Sequence, residues 1–219
     1  MKISTKTMVL LAVLSGLAYV AMVLLRVPVM TVPPFLKFDP KDVVIVITGF
    51  LFGPLHAFIV ITVVSFVEMV TVSETGWIGL VMNIISSAAF VCPAAVIYQR
   101  KRTLAGAVTG LITGCISMTC VMLLWNYILT PLYIPNVTRE AVAKMLLPVF
   151  LPFNAGKSIM NAAITMLLYK PVVKALRKSG MYHENETASS SKAKLNISTL
   201  LVSAFLILSI VLLFWILWG

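Results

Sequence analysis

Leu151-Pro152-Phe153-Asn154-Ala155-Gly156-Lys157-Ser158-Ile159-Met160-Asn161-Ala162-Ala163-Ile164-Thr165 is an apolar stretch broken only by Asn154, Lys157, Ser158, Asn161 and Thr165. These recur three or four residues apart, so a helix gathers them on one face. A charged side chain inside a bilayer costs about 2.5–3.5 kcal/mol on insertion scales, so Lys157 calls for a protein partner, a wet cavity or a ligand. The competing reading is a lysine that snorkels to the surface. Either way the stretch describes a helix inside a membrane bundle, with a polar stripe turned towards its neighbours.

The rest of the chain fits that frame. It has 219 residues, of which 60% are hydrophobic and 11% charged. Apolar segments run over residues 7–25, 42–52, 54–72, 77–98, 104–130, 148–169 and 197–217, and a single crossing takes about 20 residues. The 42–52 segment is short and meets the next at Phe52-Gly53-Pro54, which permits only a tight reversal. The expectation is an all-α integral membrane protein, a six-transmembrane-helix bundle plus one extra C-terminal transmembrane helix. Residues 1–178 form the bundle, 179–196 a polar cytoplasmic linker and 197–219 the additional helix. Lys2 and Lys6 followed by the apolar run from Met8 to Leu25 could imitate a secretory signal, but the run is longer than a typical signal core and reads as the first spanning helix.

A net charge of +10 raises nucleic acid as a partner, but the basic residues fall in loops, where membrane orientation alone accounts for them. With the N-terminus cytoplasmic, the inner side receives Lys2, Lys6, Arg100, Lys101, Arg102, Lys170, Lys174, Arg177, Lys178, Lys192 and Lys194. The outer side receives Arg26, Lys37, Lys41, Arg139 and Lys144. Against these outer cations stand Asp39, Asp42, Glu74 and Glu140, a loop balance near +1 that does not decide whether a phosphate is tolerated. Cys92, Cys115 and Cys120 show neither disulfide nor metal spacing and read as packing residues.

On this topology Glu68, Asn83, Asn126, Asn154 and Lys157 all reach the outer half of the membrane, and such groups normally face the bundle interior. Carboxamides with donors and an acceptor, beside a three-donor ammonium, suit a neutral polar heterocycle bearing ring carbonyls and ring N–H groups. Trp77, Phe90, Trp125, Tyr127, Tyr133 and Phe153 offer flat apolar surface, although interfacial Trp and Tyr are common whatever the function. Gly156-Lys157-Ser158 is not a phosphate-binding loop, because Leu151 stands where the first glycine is required and no strand precedes it. Glu68 and His56 are twelve residues apart, about 18 Å along a helix, too far for a catalytic pair. No inverted repeat of the secondary-transporter kind is visible. Ala12 and Gly16 form a small-xxx-small pair, on a face that Ser15 extends, suited to docking on another membrane protein; internal packing is the alternative.

Pro33-Pro34-Phe35-Leu36-Lys37-Phe38-Asp39-Pro40-Lys41-Asp42-Val43, Phe52-Gly53-Pro54, Trp125-Asn126-Tyr127 with Pro131-Leu132-Tyr133, and Leu151-Pro152-Phe153-Asn154-Ala155-Gly156-Lys157 closely resemble the riboflavin-specific substrate-binding subunits of energy-coupling factor (ECF) transporters. The resemblance covers roughly residues 5–178. It implies a six-helix bundle that binds riboflavin near the outer surface of a prokaryotic plasma membrane. The vitamin would pass inward with an energising module of a transmembrane coupling protein and two cytoplasmic ATPases. It also implies flavin contacts from Asn126, Asn154 and Lys157, docking through Ala12 and Gly16, and a lid at Pro33–Asp39. Glu68 and Asn83 complete the expected site. Val64, Ser65 and Glu68 stand where relatives often carry lysine and asparagine, and the seventh helix lies outside the usual pattern. Riboflavin is then a transported ligand; no resident cofactor, metal, nucleic-acid partner or catalysis is expected. The rival readings are a same-fold subunit for another vitamin or precursor, and a small intramembrane enzyme.

Overall fold

The structure is a computed structural model and describes residues 4–28, 36–134 and 137–178. The linker 179–196, the segment 197–219 and most of the expected lid lie outside the described residues. Among the described residues seven α-helices follow in order: α1 (Thr5–Leu24), α2 (Lys41–Phe52), α3 (Pro54–Thr71), α4 (Gly76–Lys101), α5 (Leu104–Tyr133), α6 (Arg139–Met145) and α7 (Leu151–Lys178). Between α1 and α2 a two-residue antiparallel ribbon pairs β1 (Val27–Pro28) with β2 (Lys37–Phe38). Among the described residues, α1, α3, α4 and α5 are long and apolar enough to cross a membrane.

Helix α2 has twelve residues, about 18 Å of helix and short of a bilayer's hydrocarbon core. It compensates by sitting inside the bundle, packed against α1, α3, α4 and α7, and ten of its residues from Lys41 to Leu51 are buried. The reversal into α3 is the one read from Phe52-Gly53-Pro54. Gly53 has φ +94°, a conformation that favours glycine, and Pro54 opens α3 where its missing N–H costs nothing.

Helix α5 approaches α4 through Gly106, Gly110 and Gly114, which share one face. A Cβ added at Gly110 would lie 2.7 Å from the Ala94 carbonyl oxygen, and one at Gly114 would press on that of Phe90. Small residues at this spacing bring helix backbones into direct contact.

Two sequence expectations shift here. Helix α5 runs on through Pro131 to Tyr133 rather than stopping at 130. The expected 148–169 helix becomes α7, which starts at Leu151 and continues to Lys178, preceded by α6 and a π-helical turn at Leu146–Phe150. Thr138 caps α6 by accepting from the Ala141 N–H. Pro148 then leaves a gap in the backbone ladder, where the π turn forms.

Candidate functional site

The polar stripe of α7 points inward. Asn154, Ser158, Asn161 and Thr165 are buried, while Leu151 before them and Ile159 and Met160 among them are exposed. Ser158 donates to the Ala155 carbonyl and Thr165 to that of Asn161, so these hydroxyls are satisfied within the helix. Lys157 has the protein partner its position demands, the carboxylate of Asp39, with Nζ 3.1 Å from Oδ2.

Where α1, α3 and α5 end and α2, α4 and α7 begin, the bundle encloses a cavity of about 110 Å³. Glu68, Asn83, Asn126, Asn154 and Lys157, the five residues picked out by depth, all line it. Asn126 and Asn154 are held alike, each donating a carboxamide N–H to the carbonyl four residues back, Met122 and Phe150, at 2.7 Å. The second N–H and the carbonyl oxygen of each amide remain for other partners, apart from a long 3.5 Å contact from Thr130 to the Asn126 oxygen. Of the five aromatics considered whose side chains are described, only Phe153 lines the cavity. Trp77 is exposed and Phe90 lies in the core beside Gly114. The side chain of Tyr133 is outside the described residues.

The first connection brings further charge to the site. Arg26, Lys37 and Asp39 line the cavity, and Lys41 lies behind it with Nζ 2.5 Å from Glu68 Oε2 and 3.1 Å from Asn83 Oδ1. Arg26 reaches the other oxygen of Glu68 at 3.4 Å, and Lys37 meets Glu74 at 2.6 Å. Asp42 accepts from the Ser87 hydroxyl at 2.5 Å. Sequence reasoning counted Asp39, Lys41 and Asp42 as outer loop charges; the structure buries them to 3%, 1% and 0% exposure. The available signal was position: these charges open a helix too short to span, which has to start inside the bundle. Burial would raise the Asp39 carboxyl, but the nearby Lys157 and Lys41 ammonium groups outweigh it and hold it at about 2. The Asp39 carboxyl is therefore ionised throughout the neutral range.

The docking pair is seen differently. Ala12 and Gly16 are exposed, and a Cβ at Gly16 would meet nothing within 4 Å. Ser15, expected to extend their face, turns inward and donates to the Leu11 carbonyl. His56 donates its Nδ1–H to the Phe52 carbonyl, near the start of α3, whereas Glu68 is near its end. Among the described residues no cluster of His, Cys, Asp or Glu suits a metal.

The chain is 30% identical over 178 residues to the riboflavin transporter RibU of Staphylococcus aureus (strain TCH60), covering 79% of this chain and 93% of that protein. It is 27% identical over 188 residues to the riboflavin transporter FmnP of Bacillus subtilis (strain 168), covering 81% and 98%. A solved structure described as "Structure and mechanism of the S component of a bacterial ECF transporter" matches with a TM-score of 0.65 at 30% identity, over 78% of this chain and 96% of that one. The profile of the family "ECF transporter, substrate-specific component" matches residues 6–169. That span takes in every cavity-lining residue from Arg26 to Lys157, and the chain belongs to the substrate-specific components of ECF transporters.

Proposed function

We propose that the protein is the riboflavin-binding membrane subunit of an ECF-type vitamin uptake system. It captures riboflavin from outside the cell and passes it inward with an ATP-driven energising module. The observation that carries this reading is the convergence of Asn126, Asn154 and Lys157 on one cavity from α5 and α7, in a chain whose relatives RibU and FmnP are named riboflavin transporters. The pyrimidine edge of the flavin has two carbonyls and an N–H between them. Two amides with a free N–H and oxygen each, beside an ammonium, complement that edge.

Asn126, Asn154 and Lys157 are the direct contacts in this proposal. Asn83 and Glu68 hold the wall behind them through Lys41. Small-molecule sites usually enclose roughly 300–1,000 Å³, so the cavity widens as the ring enters, and the loop from Pro33 to Asp39 is the element that moves. Leu36, packed with Val142, Leu146, Phe150 and Phe153, would re-seat with it.

The remaining organisation follows the same reading. Residues 1–178 form the six-helix binding domain, 179–196 a cytoplasmic linker and 197–219 a further membrane helix. The charged cavity opens outside; the opposite end, with Arg100, Lys101, Arg102 and Lys170, faces the cytoplasm together with the N-terminus. The open Ala12–Gly16 face of α1 docks on the transmembrane coupling protein, and two cytoplasmic ATPases supply the energy that this binder, which is not an enzyme, lacks.

The test is a titration of riboflavin into ligand-free protein in detergent, read by quenching of flavin fluorescence. Stoichiometric quenching, weakened by Asn126→Ala and Asn154→Ala, supports the reading. A folded protein that ignores riboflavin and binds another vitamin overturns it.

A further inference from the structure

We infer that the end of the bundle away from the cavity binds anionic phospholipid, with Arg100, Lys101 and Lys170 on the headgroup phosphates and exposed aliphatic side chains of α5 and α7 against the acyl chains. This goes beyond the flavin reading and does not depend on it. The two ends of the bundle differ in how their charge is matched. At the cavity end Arg26, Lys37, Lys41 and Lys157 all meet carboxylates. The carboxylates among the described residues, Asp39, Asp42, Glu68, Glu74 and Glu140, all stand at that end. The other end, where α4 and α7 finish and α5 starts, carries Arg100, Lys101, Arg102 and Lys170 and no described carboxylate. The segment 179–196 brings Glu184 and Glu186 but also Lys192 and Lys194, so it adds no net charge. Membrane orientation accounts for the side on which these cations lie, but not for what neutralises them.

The cations sit on a fixed rim. The Tyr98 and Tyr169 hydroxyls are hydrogen bonded and their rings meet edge-on at 5.6 Å, which joins the ends of α4 and α7. Arg102, with φ 42°, turns the chain and donates Nη2 to Gln99 Oε1 at 2.9 Å. Gln99 in turn donates to the Phe50 carbonyl near the end of α2 at 2.7 Å. Thr103 caps α5 by accepting from the Gly106 N–H, and the turn is so close that a Cβ at Gly106 would lie 2.8 Å from that of Lys101. On this rim Arg100, Lys101 and Lys170 are exposed. Exposed apolar side chains lie just deeper. Leu167 shares a face of α7 with Lys170, one turn away, and Leu104, Val108 and Ile112 run down one face of α5 from the turn that carries Lys101. A cation beside a column of exposed aliphatic groups complements a phospholipid, whose phosphate meets the charge while its acyl chain lies along the column. An acidic partner protein would match the cations alone.

The experiment adds phosphatidylglycerol or phosphatidylcholine to the full-length protein in detergent micelles. Retained lipid is counted by mass spectrometry of the repurified protein, and its effect is read from the melting temperature. The expected result is that phosphatidylglycerol is retained over phosphatidylcholine by about tenfold or more and raises the melting temperature, as several basic residues acting together on an anionic headgroup require. The triple variant Arg100→Gln, Lys101→Gln, Lys170→Gln changes only exposed side chains and should bring the preference down to about two- to threefold, while melting in phosphatidylcholine as the parent does. Arg139→Gln with Lys144→Gln, which removes two exposed cations from α6 at the cavity end, should leave the preference intact. No preference in the parent protein, or one that survives the triple variant, overturns the inference. An equal loss in the α6 variant overturns it too, by reducing the effect to net charge. A triple variant that keeps its lipid but no longer copurifies with the energising module would assign these cations to a protein partner instead.

Discussion

At Gly110 and Gly114, α5 lies so close to α4 that a single added carbon would strike the Ala94 or Phe90 carbonyl. Twelve residues beyond Gly114, about 18 Å along the same helix, Asn126 of α5 and Asn83 of α4 border a cavity lined by charge. One helix pair thus has a close-packed, backbone-to-backbone end and a polar end whose side chains border a cavity. The first has little freedom to rearrange, because close-packed glycine contacts tolerate no change of separation. The second is held by ion pairs between separate segments, Lys157 with Asp39, Arg26 and Lys41 with Glu68, and Lys37 with Glu74, and these can exchange partners. Ligand-driven movement therefore belongs at the charged end, with the glycine end as its fixed reference.

The largest effect is expected from Lys157→Ala. It removes a proposed flavin contact and strands the buried Asp39 carboxylate, and breaking a buried pair from one side costs about 3–5 kcal/mol. Detergent-solubilised Lys157→Ala should lose riboflavin binding and also melt earlier than the parent protein. Adding Asp39→Asn should restore most of the melting temperature without restoring binding. Recovery of both together would mean that Lys157 matters only as a counter-ion.

Gly114→Ala probes the other end. Overpacking a tight contact costs typically 1–3 kcal/mol, so thermal stability should drop while the riboflavin affinity of the remaining folded protein stays within a few-fold of the parent. A variant of unchanged stability that binds flavin poorly would dissolve the distinction between a rigid end and an adaptable one.

Much of this division was legible in the sequence, and the unread part has a physical cause. The α7 stripe stood out because five polar residues at helical spacing in an apolar background have only one face to share. Glu68, Asn83 and Asn126 were placed by depth alone, since alternating helices bring equal depths together. Asp39, Lys41 and Asp42 were misread as loop charges, because charge beside the start of an apolar run is the usual mark of a membrane boundary. Only the shortness of α2 distinguishes a boundary from a buried helix start. The glycine spacing at 106–114 carries a close-packing signal but does not name the partner. Ala12 and Gly16 have the same spacing, yet one set is filled by α4 and the other remains open.

That last contrast yields the smallest expected effect on the isolated protein. Gly16→Leu places a side chain where nothing lies within 4 Å, and a helix interior gains roughly 1 kcal/mol when glycine is replaced by a good helix former. Stability should hold or rise slightly, and riboflavin binding in detergent should be unchanged. The same substitution at Gly110 would drive the side chain into the α4 backbone, so the pair separates an external small-residue face from an internal one. If Gly16 serves docking, cells expressing Gly16→Leu with an intact energising module should take up riboflavin poorly, and the variant should fail to copurify with the coupling protein. Normal uptake and copurification would make the open face of α1 a lipid-facing surface, leaving the docking site to be sought elsewhere on the bundle.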